Sequence, residues 1–259
     1  MVSDMKIVYM WGTNYINILR AHSADITSVH VLMPDNESHF PAAAQEAIRE
    51  VLGERAIQVS YDQDEIANTL LQLNADVVIS MGWRRIFGAT LLSQLQDRLL
   101  INIHPAILPQ YKGYHTEPYV IINAEKEHGI TAHRLTQGLD DGDILHQLKF
   151  SISKFSTTAS IKAQAHDRMP EFIGELLPLI VTGRVQEIPQ DASLTKVVAP
   201  KRSPADSEVD PNVSLSDLYN IVRACDYENY PAFFYVDGQK IFISMRRADD
   251  SPREHDLEL

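Results

Sequence analysis

The first half of the chain alternates short apolar runs with amphipathic helical stretches, and few folds accept that pattern. Lys6 to Trp11, Ile26 to Met33, Ile57 to Ser60, Asp76 to Met81 and Leu99 to His104 are near-continuous apolar runs of strand length. Between them, Ala42 to Leu52 and Asp64 to Leu73 space their apolar residues helically, and Asp62 or Asp64 is placed to cap the second stretch. Strands that are apolar throughout are buried on both faces, which a parallel sheet covered by helices provides. The expectation is an α/β fold with a Rossmann-like, largely parallel sheet. Gly129 to Leu135 and Ile144 to Ser151 add two strands, and Thr158 to Val181 has helical spacing that Pro170 and Pro178 interrupt. After Ile188 the composition shifts to Pro, Asp, Ser and Lys. A boundary near 185 would divide a main domain, 1–185, from a small appendage, 186–259. The appendage holds a helix around Ser214 to Cys225 and a hairpin, Ala232 to Val236 with Lys240 to Ser244, about the type I′ turn signal Asp237-Gly238.

Ligands of such sheets bind beyond the carboxyl ends of the strands. The run ending at His104 delivers Asn102 and His104 there, two residues apart and so on one strand face. Pro105, the run Leu108-Pro109-Gln110-Tyr111-Lys112-Gly113 and the turn Gly138-Leu139-Asp140-Asp141-Gly142-Asp143 follow. An amide, an imidazole and a carboxylate suffice to move an acyl group onto an amine. Asn102 can donate to the developing oxyanion, a contribution of about 3 kcal/mol at such sites. His104 can take the amine proton, and Asp140 can orient the imidazole. Singly, each is more readily a strand-end or turn residue than a catalytic one; the ordered combination is what points to chemistry.

Other candidates weigh less. Gly12-Thr13-Asn14 lacks the repeated glycines of a dinucleotide fingerprint and is expected to be a strand-end turn. Met81-Gly82-Trp83-Arg84-Arg85-Ile86-Phe87 carries two arginines out of a buried strand, where a ligand or plain solvent would meet them. Tyr114-His115-Thr116-Glu117 either contacts an acceptor or simply starts a helix with Thr116 as its cap. His128 and His133 fall on opposite faces of one strand, so solvated or hydrogen-bonded histidines are expected and no metal site.

Composition narrows the class. The formal net charge is −12, whereas proteins that grip polynucleotide phosphates normally present a basic face. The single Cys225 precludes an internal disulfide. No basic stretch leads from Met1 into a long apolar run, and no segment approaches the ~20 apolar residues of a membrane span. A cytoplasmic protein without membrane or polynucleotide partners is expected.

Asn102, His104, Leu108, Pro109, Tyr111, Gly113, Leu139, Asp140, Gly142 and Asp143 together resemble the signature of the folate-dependent formyltransferases. The chain departs from it at Ala106, where Ser is usual, and at Lys112, where Arg is common. The resemblance implies the same roles for Asn102, His104 and Asp140, and 10-formyltetrahydrofolate as formyl donor. It also implies a folate-binding loop at Met81, Arg84, Arg85 and Ile86, with Asp140 alongside, and an acceptor segment at Tyr111, Lys112, Gly113, Tyr114, His115 and Thr116. Among branches, the sugar-nucleotide N-formyltransferases fit best, through the run His104 to Gly113, Leu218 to Ala224, Tyr230 to Phe233 and a tail containing a hairpin. A nucleotide-linked 4-amino-4,6-dideoxyhexose is the implied acceptor, GDP-perosamine ahead of a dTDP-linked sugar, for a surface glycan such as O-antigen. The hairpin implies a homodimer. Formylation of methionyl-tRNA or glycinamide ribonucleotide, formyltetrahydrofolate hydrolysis, and folate binding without turnover stand as alternatives.

Overall fold

The structure, a computed structural model, describes residues 5–21, 29–35 and 40–245. In chain order the elements are β1 (Ile7–Trp11), α1 (Ile16–Ala21), β2 (Val29–Pro34), α2 (Ala42–Leu52), β3 (Ala56–Val59) and α3 (Gln63–Gln72). Next come β4 (Val77–Met81), α4 (Ala89–Gln94), β5 (Leu99–His104), β6 (Tyr111–Gly113), α5 (Glu117–Ile122), β7 (Glu127–Arg134) and β8 (Ile144–Ser151). The chain continues through α6 (Thr158–Asp167), α7 (Met169–Val181), β9 (Val197–Ala199), α8 (Leu215–Ala224), β10 (Phe233–Val236) and β11 (Gln239–Phe242). No helix of the described residues is long and apolar enough to cross a membrane.

A seven-stranded sheet runs in the order β3-β2-β1-β4-β5-β7-β8. β1 to β5 pair in parallel, and β7 joins β5 antiparallel. The fold is therefore the largely parallel α/β arrangement that the apolar runs imply. The chain divides into two compact units, Met1–His104 with Thr131–Gln147 and Arg168–Gln190, and Pro105–Ile130 with Leu148–Asp167 and Asp191–Leu259. The boundary expected near 185 thus falls inside the last segment of the first unit.

In the first unit, every residue of β1 is buried because neighbouring strands flank it and helices cover the sheet. Val8 and Met10 pack with Leu32, Ile66, Leu70, Val78, Leu91 and Leu100 in one apolar cluster. The Asp62 side chain caps α3 by accepting from the Glu65 amide at 2.8 Å, which settles the choice between Asp62 and Asp64. The single interrupted helix expected over Thr158 to Val181 is two: α6 stops at Asp167, and α7 restarts with Pro170 in its first turn, where the missing N–H costs nothing. Pro178 is accommodated inside α7. The strand order reverses between β1 and β4, and their carboxyl ends meet there. A Cβ on Gly12 would stand 1.9 Å from the Gly82 carbonyl oxygen, so only glycine permits that approach.

In the second unit β6 pairs in parallel with β9, and Ala106, Tyr111 and Val120 form a small core with Tyr119, Ile152 and Val197. The helix expected in an appendage is tied into this unit. Ala224 packs with Ile121 and Ile161, Thr158 Oγ1 donates to the Ala224 carbonyl at 2.7 Å, and Arg223 Nη1 donates to the Ser156 carbonyl at 2.8 Å. The hairpin β10–β11 forms about Asp237 and Gly238, both at positive φ as a type I′ turn requires.

Candidate active site

β5 ends by presenting Asn102 and His104, and β7 supplies the residue opposite. The antiparallel register sets Asn102 across from His133, so their side chains share a face. Asn102 Nδ2 lies 3.1 Å from His133 Nε2, and His133 Nδ1 lies 2.8 Å from the Arg134 carbonyl oxygen. A carbonyl only accepts, so Nδ1 carries a proton, and the Asn102 NH₂, which only donates, is directed at Nε2. That bond pins the rotation of the Asn102 side chain and keeps its second N–H for another acceptor.

Asp140 faces both imidazoles. Its Oδ2 is 3.6 Å from His104 Nδ1 and its Oδ1 is 3.4 Å from His133 Nε2. The His104 separation exceeds a hydrogen bond. All three side chains are largely buried, Asp140 keeping 12% exposure, which strengthens any charge interaction among them. Asp140 sits at φ 48°, a left-handed conformation that Asp tolerates better than most non-glycine residues. The turn closes tightly on β7: the Arg134 amide donates to the Asp143 carbonyl at 2.9 Å, and a Cβ on Gly142 would fall 2.0 Å from the Arg134 carbonyl oxygen.

The first unit therefore brings Asn102, His104 and Asp140 together and adds His133, whose spacing implies only a solvated or hydrogen-bonded strand histidine. The available signal was its place one residue before the end of the strand leading into the Asp140 turn. His128, on the same strand, is buried with its ring edge-on to Phe150 at 5.7 Å. Among the described residues no group of His, Cys, Asp and Glu has the arrangement of a metal site.

The loop after β4 belongs to the same unit. Met81 ends the strand with its side chain wholly buried, so only its backbone can face a ligand. Arg84, Arg85 and Ile86 are exposed. The Arg85 guanidinium stacks 4.8 Å over the Tyr61 ring, and Tyr61 meets Trp83 edge-on at 5.1 Å. Gln63, in the first turn of α3, receives the Gly88 amide at 2.9 Å and fixes the end of the loop.

The segment 111–116 lies in the second unit. Tyr111 is 2% exposed, and its hydroxyl donates to Glu125 at 2.6 Å and accepts from Asn123 at 3.1 Å. Burial, then the bond to Glu125, raises its pKa far above the usual phenol range. Tyr111 is thus a core residue and offers a ligand no exposed side-chain atom. Thr116 is also buried and stands at the N-cap of α5 without a side-chain capping bond. Lys112, Gly113, His115 and Tyr114 retain exposure, and His115 holds a positive φ of 48°. Sequence reasoning also passed over Glu117 as a buried group: it is 5% exposed, and its Oε2 finds no hydrogen-bond partner among the described residues.

The sequence pattern of the family described as formyl transferase matches residues 13–177, more than half of the chain. The chain belongs to the formyl transferase family. Over 174 residues, 67% of its length, this formyl transferase chain is 30% identical to the bifunctional polymyxin resistance protein ArnA of Wigglesworthia glossinidia brevipalpis, and it spans 26% of that protein. Its fold is similar to that of a 4-N formyltransferase from Francisella tularensis, with a TM-score of 0.71 and 21% identity, covering 94% of this chain and 98% of the other. An N-formyltransferase from Helicobacter canadensis, in complex with folinic acid and dTDP-3-aminofucose, gives a TM-score of 0.71 at 19% identity, covering 94% and 91%. At such identities the structural likeness speaks for the fold alone.

Proposed function

We propose that this formyl transferase moves a formyl group from 10-formyltetrahydrofolate to the primary amine of a nucleotide-linked aminosugar. The observation that carries the reading is the cluster of Asn102, His104, His133 and Asp140 at the ends of β5 and β7. Attack by the amine on the formyl carbon places negative charge on the formyl oxygen, and the Asn102 N–H not bound to His133 is the donor for it. His104 takes the proton from the attacking amine and returns it to the departing folate nitrogen as that C–N bond breaks. Asp140 steadies the imidazolium between the two transfers; its separation from His104 shortens in the substrate complex, as catalytic contacts commonly do. The exposed Arg84 and Arg85 suit the carboxylates of a folate tail, and the backbone of the Met81 to Ile86 loop suits its pterin.

For the acceptor, the relatives supply both a 4-N enzyme and one holding dTDP-3-aminofucose. The resemblance of Tyr111 to Gly129 favours a 4-amino-4,6-dideoxyhexose, with GDP-perosamine first and O-antigen as destination. Lys112, Gly113, Tyr114 and His115 are the exposed or half-exposed acceptor candidates. A homodimer fits the hairpin, where Tyr235, Val236, Ile241 and Phe242 are exposed. A cytoplasmic site of action accords with a folate donor. The test is to incubate the protein with 10-formyltetrahydrofolate and a panel of GDP-, dTDP- and UDP-linked aminosugars and to follow product masses. One added formyl group on a single class of acceptor supports the reading. Formate released without any amine would make the chain a hydrolase instead.

A further inference from the structure

Gln190 lies beyond the stretch that matches the family, yet its side chain holds the turn that carries Asp140. Its Nε2 donates to the Asp140 carbonyl at 2.9 Å and to the Gly142 carbonyl at 2.7 Å. Only the NH₂ end of an amide can serve two carbonyls at once, so the side chain has one orientation. The segment that delivers Gln190 is itself fixed to the same region. Ile188 exchanges both backbone hydrogen bonds with Ile144, at 2.8 and 2.9 Å, and Glu187 pairs with Arg134 at 2.5 Å. Residues 187–190 thus grip the end of β7, the start of β8 and the backbone on either side of Asp141.

From this geometry we infer that Gln190 is a positioning residue for Asp140, holding the turn so that one carboxylate faces both His104 and His133. The inference rests on the formyl-transfer reading for its catalytic consequence, while the clamp itself is a property of the fold. The left-handed backbone of Asp140 costs a residue with a Cβ some free energy, less for Asp than for most, so bonds that hold the turn bear on where its carboxylate points. The two Gln190 bonds hold that turn. Without them the 140–141 and 142–143 peptide planes can rotate, and the carboxylate leaves the 3.4 to 3.6 Å range from the imidazoles.

The test compares wild type with Gln190→Met, which keeps the length of the side chain and loses both donors. Amide hydrogen exchange in the segment 138–143 should become at least about fivefold faster, with the strands β1, β4 and β5 unchanged. Unchanged exchange in that segment overturns the clamp, whatever the enzyme does. In steady-state formyl transfer, kcat should fall about tenfold with the acceptor KM within about twofold, since misplacing a catalytic group by a fraction of an ångström has effects of that order. In an Asp140→Asn background the same substitution should cost less than about twofold, because the group it positions no longer works. A full tenfold loss in that background, or none in the wild-type background, contradicts the role. A wild-type protein without transferase activity would refute the functional reading and leave the exchange result to decide the clamp.

Discussion

Asn102 and His133 are matched by register, and under the proposed reaction that single pairing is what aims a flexible amide at the formyl oxygen. Removing the donor or the base should therefore be costly: Asn102→Ala and His104→Ala are each expected to lower kcat about 10²-fold or more, with circular dichroism and melting temperature nearly unchanged. His133→Ala should lower kcat by less, about tenfold, because Asn102 remains and only its orientation is lost; a loss of acceptor binding with kcat intact would assign His133 elsewhere. At this scale much was legible in the sequence. Asn102 and His104 share a strand face by the period of two, and the turn Gly138 to Asp143 carried Asp140. His133 was not legible, because which residue opposes Asn102 depends on the β5–β7 register, a long-range choice that no local spacing encodes. The surroundings of Tyr111 were not legible for a related reason. Its motif position suggested contact with a ligand, but its bonds to Glu125 and Asn123 require partners that only the folded second unit brings to it.

Among the elements, the parallel strands were the most legible, since strands buried on both faces are apolar throughout. β5, β8 and α2 match their expected bounds at both ends. Short pieces were lost: β6 and β9 have three residues each and exist by pairing with one another, so neither carries a periodic signal. α8 opens with Ser214 accepting from the Asp217 amide at 3.1 Å, and Ser214→Ala should cost about 1 kcal/mol of stability in chemical denaturation. The segment from Glu187 to Gln190 offers a pH test. The hydrogen bond from Arg134 holds Glu187 below the usual carboxylate range. A depressed folded-state pKa stabilises the fold above the unfolded pKa, and that contribution is lost as pH falls through the lower folded value. Both partners are about a third exposed, so the effect is small. Glu187→Gln should lower the melting temperature slightly at neutral pH, where the pair is intact, and flatten the acid side below about pH 4.5, the two proteins converging as Glu187 is protonated. An equally steep acid side would show that the pair adds nothing.

For the whole molecule, a linear boundary near 185 was a reasonable inference from composition, but the compact units are assembled from interleaved segments. Interleaving follows from strands that run on through the sheet, and composition is blind to it. Truncation before Ser214 would remove α8, whose Ala224 and Arg223 are buried in the second unit, and so would confuse unfolding with loss of assembly. Phe242→Asp on the exposed hairpin is the cleaner variant; it should halve the mass in solution if the hairpin joins two copies, and an unchanged mass would remove the hairpin from the interface. The net charge of −12 accords with a small anionic acceptor bound by a few local contacts rather than a polynucleotide held along a basic face. The central claim, formyl transfer by the Asn102, His104 and Asp140 centre, is tested most directly by mass spectrometry of a nucleotide-linked 4-amino sugar incubated with 10-formyltetrahydrofolate and either wild type or Asn102→Ala. The account predicts one formyl group added per sugar by wild type, with tetrahydrofolate released in equal amount, and a rate about 10²-fold lower for the variant. Equal rates for the two proteins, or no formylated product from any aminosugar nucleotide, would contradict it.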